Sequence, residues 1–209
     1  MNGTLPQKLT RLTGNLFVNP RYLSRYVVHN VINGKTPVEL ELPWFSYAAI
    51  DFLDKFVKPA MRVCEYGSGG STIFFAERAA SVVSVENDPQ WHEVVARRLQ
   101  EKGINNATLK LCPFDFKNPV GFEYSQYLHA IPDDQYDIIV VDGSEEWQQV
   151  RPVCFSKAET HIRKGGIIVV DDSWRYPGIR RQNRASHFEV FQSVGPCRPG
   201  VTSTDVFFY

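Results

Sequence analysis

The sequence has no excess of either charge, no C-x-x-C pair, no long apolar run and no internal repeat. Lys plus Arg and Asp plus Glu both number 23, so the formal net charge is zero. Chains built to grip a phosphate backbone usually carry a basic excess, so no nucleic-acid partner is expected. The four cysteines (Cys64, Cys112, Cys154 and Cys197) stand far apart. That spacing argues against a zinc site or a redox pair and for reduced thiols in a reducing compartment. The N-terminus, M-N-G-T-L-P-Q-K-L-T, lacks the apolar core of a signal peptide, and no stretch approaches the ~18 apolar residues of a membrane span. The expectation is a cytoplasmic chain with no membrane partner. Its 209 residues suffice for one domain with its own core.

Two rhythms organise the chain. Residues 1–20 are polar and carry Gly3, Pro6, Gly14 and Pro20, which reads as an arm. Helical spacing then predicts helices over 21–33 and 44–57. Within the second, Trp44 and Phe45 read as core. From residue 61 short β-branched runs alternate with helical stretches. Strands fit 61–66, 81–86, 107–112, 137–142 and 166–171; helices fit 71–80, 89–102 and 146–163. This alternation predicts a Rossmann-like, doubly wound α/β sheet. Residues 187–194 and 202–209 read as strands joined by too short a link for a parallel crossover, so the sheet should end in an antiparallel hairpin.

Ligands in such sheets bind at the carboxyl ends of the strands. The first strand ends in Glu65-Tyr66 and runs into Gly67-Ser68-Gly69-Gly70-Ser71. Glycine there removes the Cβ that would hold a ligand away, and the following helix start suits an anion. Thr72 occupies the place of the third glycine in the dinucleotide fingerprint. Glu86, with Asn87 beside it, ends the second strand 19 residues after Gly67, where a carboxylate accepts from ribose hydroxyls. Asp115 after the third strand is a candidate acceptor for an adenine amine, with Phe114 or Phe116 against the ring. These residues together point to an adenosine-containing ligand.

Glu65-x-Gly67-x-Gly69, then Glu86, then Asp142 after the fourth strand, then K-G-G-I-I-V-V-D-D resembles a class I S-adenosylmethionine-dependent methyltransferase over residues 44–209. The resemblance implies a seven-stranded, mostly parallel sheet with a terminal antiparallel hairpin. It implies that Gly67, Ser68, Gly69 and Ser71 hold the methionine part of the cofactor, that Glu65 faces its positive end, that Glu86 holds the ribose, and that Asp142 lies beside it. Residues 1–43 would then be an arm and helix covering the substrate, ahead of the methyltransferase domain.

Asp142, Asp171 and Asp172 fall at adjacent strand tips. Three converging carboxylates repel unless something positive sits among them, and a divalent cation has the right ligand preference. The arrangement resembles catechol-type O-methyltransferases, which implies Mg²⁺ held by these three acids. Asp172 departs from the Asn of that pattern, and Glu145 stands near the place of its lysine. Glu145 or Glu146 is the candidate general base; the alternative is that both complement the dipole of the next helix. Arg175, Arg180, Arg181 and Arg184 follow the fifth strand without an acid among them, as a possible anion site. No N-P-P-Y or D-P-P-Y occurs, which favours methylation of oxygen in a small molecule or sugar. Two rival readings remain open here: a nicotinamide-dependent oxidoreductase, and a non-catalytic binding module.

Overall fold

The computed structural model describes residues 4–132 and 135–209. Among them the chain forms one seven-stranded sheet in the order β3-β2-β1-β4-β5-β7-β6. The strands are β1 (Arg62–Tyr66), β2 (Ser81–Glu86), β3 (Ala107–Leu111), β4 (Tyr136–Val141), β5 (Ile162–Val170), β6 (His187–Val194) and β7 (Val201–Phe208). The first five are parallel, and β7 inserts antiparallel between β5 and β6. The expected doubly wound sheet with its terminal hairpin is therefore present.

β4 is buried along its whole length, as a strand covered on both faces must be. Its side chains alternate between two cores. Ile139 and Val141 join Tyr66, Phe155 and Phe207 on one face. Ile138 and Val140 join Val63, Phe74 and Phe75 on the other. The helices are α1 (Leu5–Val18), α2 (Leu23–Val27), α3 (Pro37–Leu40), α4 (Tyr47–Phe56), α5 (Gly70–Ala76), α6 (Pro89–Glu101), α7 (Gln126–His129), α8 (Val150–Ala158) and α9 (Pro177–Arg181). None is long and apolar enough to cross a membrane. The four cysteines are free, and three of them are buried.

The N-terminal arm is a helix instead. Pro6 sits in the first turn of α1, where a missing N–H costs nothing, and Thr4 caps it. Leu12 and Leu16 pack against the core, and Asn15 Oδ1 accepts from Val194 N at 3.2 Å. The stretch 21–33 is helical but changes pitch, ending in a π-helical turn over Val28–Ile32. The helix expected over 146–163 shortens to α8, because β5 already begins at Ile162.

The tip of β1 is wedged between its neighbours. Gly67 N donates to Val85 O at 2.8 Å, and Asp142 N donates to Tyr66 O at 3.0 Å. Gly67 has φ +94°, and a Cβ there would lie 2.7 Å from the Asp142 carbonyl oxygen. Left-handed backbone and lack of space coincide at this residue. Gly67→Ala should therefore destabilise the fold by about 2 kcal/mol or more. Urea unfolding checks this, and an unchanged midpoint would contradict it.

Candidate active-site cleft

A cleft of about 1030 Å³ opens over the carboxyl ends of β1, β2, β4 and β5. Its floor on one side is the glycine loop; on the other it is the acidic tips of β4 and β5. Lys8, Arg11, Thr36 and Pro37 of the N-terminal segment contribute to its wall.

Gly67, Ser68, Gly69, Ser71, Glu86 and Asn87 all line the cleft. A Cβ on Gly69 would meet only the Trp91 ring, at 3.9 Å, so the loop presents bare backbone to the opening. Gly70 faces inward, where a Cβ would lie 2.1 Å from Leu42 O. Glu86 stabilises the loop from below. Its Oε2 accepts from Ser68 N at 3.0 Å and Ser68 Oγ at 2.8 Å. Its Oε1 accepts from Asn87 N at 2.8 Å and Asp88 N at 2.9 Å. Asp88 caps α6 through Gln90 N and Trp91 N. That cap sets Trp91, whose Nε1 donates to Ser68 O at 2.7 Å.

Glu65 is placed differently from expectation. It is fully buried beneath the loop and is absent from the cleft wall. Gly69 N donates to Thr72 Oγ1 at 3.0 Å, Thr72 Oγ1 lies 3.1 Å from Ser84 Oγ, and Ser84 Oγ donates to Glu65 Oε1. Thr72, the residue that breaks the dinucleotide fingerprint, supplies the middle of this relay. Glu65 Oε2 has no hydrogen-bond partner. Burial pushes the Glu65 carboxyl up to about 7, against the hydrogen bond from Ser84.

Phe114 and Asp115 also lie elsewhere. Phe114 packs in an aromatic cluster with Phe116 and Phe122, at ring distances of 5.2 and 5.1 Å. Asp115 is exposed and accepts from Lys117 N. Neither lines the cleft. Trp44 and Phe45 separate: Phe45 is core, while Trp44 is half-exposed and lines the cleft.

Asp142, Glu145, Asp171 and Asp172 do converge on the cleft, together with two arginines that the sequence reading missed. Arg151, 4% exposed, donates from Nε to Gly143 O at 3.1 Å and from Nη1 to Asp171 O at 2.7 Å. Its Nη2 stands 3.0 Å from Asp142 Oδ1 and 3.4 Å from Glu145 Oε1. Arg198, from the β6–β7 link, reaches Asp172 Oδ1 at 3.0 Å and Asp171 Oδ2 at 3.3 Å. Thr204 Oγ1 donates to Asp171 Oδ1 at 2.7 Å, and Thr202 Oγ1 to Asp172 Oδ1 at 2.5 Å.

These carboxyls are not equivalent. Burial pushes Asp142 well above the ordinary carboxylate range, against the pull of Arg151. Burial likewise brings Asp171 up to about 6 and raises Glu145. Burial also opposes the Asp172 anion, but Arg198 and the Thr202 hydroxyl outweigh it and hold its pKa well below the usual range.

The expected divalent-cation site does not fit this donor set. The positive charge that the acids require comes from guanidinium groups, and no cluster of three His, Cys, Asp or Glu side chains among the described residues is arranged to hold a metal. The arginine group after β5 disperses as well. Arg175 faces the cleft and pairs with Glu145 at 3.1 Å. Arg180 pairs with buried Asp205 at 2.5 Å, and Arg184 pairs with Glu159.

The raised pKa of Glu65 has a stability consequence. Folding raises this carboxyl from an ordinary value near 4.5 to about 7, so the folded state holds the extra proton between those values. Stability from this group is complete below pH 4.5 and is lost as pH rises through about 7. Glu65→Gln should remove that loss, raising stability at pH 8 relative to the parent by on the order of 3 kcal/mol. Parallel denaturant titrations at pH 5 and pH 8 measure the difference. A parent-minus-variant difference independent of pH would contradict the assignment.

Comparison with known proteins places this cleft in a family. Residues 64–173, just over half of the chain, match the family model described as a methyltransferase domain. No curated protein matches the sequence. Among solved structures, the O-methyltransferase TomG from Streptomyces achromogenes, involved in tomaymycin synthesis and solved with S-adenosylmethionine, is similar at TM-score 0.60 and 16% identity, covering 97% of this chain and 99% of that one. An O-methyltransferase from Bacillus cereus, solved with S-adenosylhomocysteine, is similar at TM-score 0.58 and 17% identity, covering 96% and 91%. An rRNA methylase from Streptococcus thermophilus is similar at TM-score 0.55 and 14% identity, covering 84% and 98%. At such identities the structures share a fold. The family match sets aside the oxidoreductase reading: the chain belongs to the methyltransferase-domain family, as a class I S-adenosylmethionine-dependent methyltransferase.

Proposed function

We propose that the chain transfers a methyl group to an oxygen of a small molecule or sugar. The observation that carries this reading is the division of one cleft into a glycine-lined half and an acid-lined half. The glycine half fits the cofactor, because Gly69 presents bare backbone to the opening, with only the Trp91 ring within 4 Å of a Cβ position. There Ser71 holds the methionine carboxylate, and Glu86 and Asn87 hold the ribose. Glu86 already accepts four hydrogen bonds, so ribose hydroxyls exchange with the two from Ser68. When bound, S-adenosylmethionine supplies an electrophilic methyl group on a positively charged sulfur.

The acid half receives the acceptor. A second cavity of about 700 Å³ adjoins it and shares Arg11, Glu145, Trp174 and Arg175 with the cleft. Asp142 stands at the tip of β4 beside the place of the cofactor's sulfur, whose positive charge favours the ionised form that burial opposes. Glu145 takes the acceptor's proton; its raised pKa brings it closer to that task than an ordinary carboxylate. Residues 1–43 form the cover over this half, and residues 44–209 form the catalytic unit. Most of the acceleration comes from holding the two reactants in line, which makes attack effectively unimolecular. No step in this scheme requires a metal ion.

The fold alone does not choose the acceptor, since it also serves an rRNA methylase. Zero net charge weighs against an RNA backbone. The names of two similar structures, both O-methyltransferases, favour oxygen. Isothermal calorimetry with S-adenosylhomocysteine tests the cofactor half. One saturable site is expected, abolished by Gly69→Arg. No binding at millimolar ligand, or parental affinity in Gly69→Arg, would contradict it.

A further inference from the structure

Arg198 has no counterpart in the sequence-based picture of this cleft. It lies in the link between β6 and β7, 26 residues from Asp172. Yet its guanidinium stands between the tips of β5 and the N-terminal segment. Nη1 donates to Asp172 Oδ1 at 3.0 Å, and Nη2 lies 3.3 Å from Asp171 Oδ2. Nη2 also donates to Trp44 O at 2.5 Å, and the guanidinium lies over the Trp44 ring at 5.1 Å. The backbone is tied too, with Arg198 N donating to Asn30 Oδ1 at 2.6 Å.

We propose that Arg198 is the internal cation of this cleft, standing where a divalent metal would otherwise bridge Asp171 and Asp172. Two facts carry this. First, the acids already have internal cations. Arg151 pairs with Asp142, and Arg198 bridges Asp171 and Asp172, so fixed guanidinium charge already stands where a cation would be needed. Second, three of the four carboxylate oxygens of Asp171 and Asp172 already accept hydrogen bonds. Thr204 holds Asp171 Oδ1, Thr202 and Trp174 hold Asp172 Oδ1, and Arg175 lies 3.8 Å from Asp172 Oδ2. A metal would have to displace Arg198 to reach them. A guanidinium also differs from a metal ion in what it offers. It donates hydrogen bonds in a fixed plane and has no open coordination position for an acceptor oxygen. Arg198 is therefore a positioning residue, which orients the two acids and Trp44 at the acceptor side. The inference rests on the methyltransferase reading of the cleft.

Mn²⁺ is the probe, followed by electron paramagnetic resonance, with S-adenosylhomocysteine calorimetry on the same samples. The parent should bind S-adenosylhomocysteine and leave Mn²⁺ free. Arg198→Ala should keep S-adenosylhomocysteine binding and take up one Mn²⁺ per chain, more than about tenfold tighter than the parent, since a repelling charge has left two carboxylates. Arg198→Lys should stay free of Mn²⁺, because the charge is restored. Arg198→Met, which keeps the stem against Trp44, serves if Arg198→Ala does not fold. A stoichiometric Mn²⁺ site in the parent overturns the proposal, as does failure of the charge-removing variant to gain one. Absence of S-adenosylhomocysteine binding in the parent would instead remove the cofactor reading, whatever Mn²⁺ does.

Discussion

The Arg151 guanidinium, buried beneath the tips of β4 and β5, is the contact on which the cleft depends. It ties the Gly143 and Asp171 carbonyls together and holds Asp142 and Glu145 by charge. A buried charge of this kind stays only while its partners stay; removing one member of such a pair costs about 3–5 kcal/mol. The tips of β4 and β5 are therefore tied to one another. Gly143 completes the constraint, since a Cβ there would lie 2.2 Å from the Tyr127 hydroxyl. Backbone, carboxylates and cation define one rigid edge against which two ligands can be aligned.

The glycine half handles its buried acid in the opposite way. Glu65 has no arginine. It is held by a hydroxyl relay from Thr72 and Ser84, and burial favours its protonated form up to about pH 7. The two halves thus meet the same cost differently: guanidinium groups oppose it in the acid half, most fully at Asp172, while at Glu65 it favours the protonated form. They also explain the broken fingerprint. A third glycine at position 72 would delete the hydroxyl that links the Gly69 amide to Glu65.

What the sequence showed of this was mostly local. The β-branched runs marked β4 and the end of β5 most clearly, because burial on both faces leaves no polar alternation to confuse the pattern. The short link before β7 dictated the hairpin. The loop and Glu86 were legible because a glycine cluster and an acid have few other reasons to fall at successive strand tips. The converging aspartates were legible too, but their compensation was not. Arg198 reaches Asp172 from the link before β7, the strand beside β5, and nothing in R-P-G-V announces that. Arg151 left a fainter signal, as a lone charge inside the apolar run V-R-P-V-C-F of α8. Phe114 and Asp115 were misplaced because an aromatic next to an acid fits an adenine pocket and an ordinary core edge equally well. Polarity with Gly3, Pro6, Gly14 and Pro20 suggested an arm over 1–20, but Pro6 falls in the first turn of α1, where it is compatible with a helix.

The account turns on one cleft holding cofactor on its glycine side and internally balanced charge on its acid side. A crystal structure with S-adenosylhomocysteine, grown in Mn²⁺ and measured at the manganese edge, tests both at once. The account predicts ribose at Glu86, the amino-acid end along Gly67–Ser71, sulfur toward Asp142, the Arg151 and Arg198 pairs intact, and no anomalous peak among Asp142, Asp171 and Asp172. Ligand bound outside the cleft, or manganese seated among those three carboxylates, would contradict it.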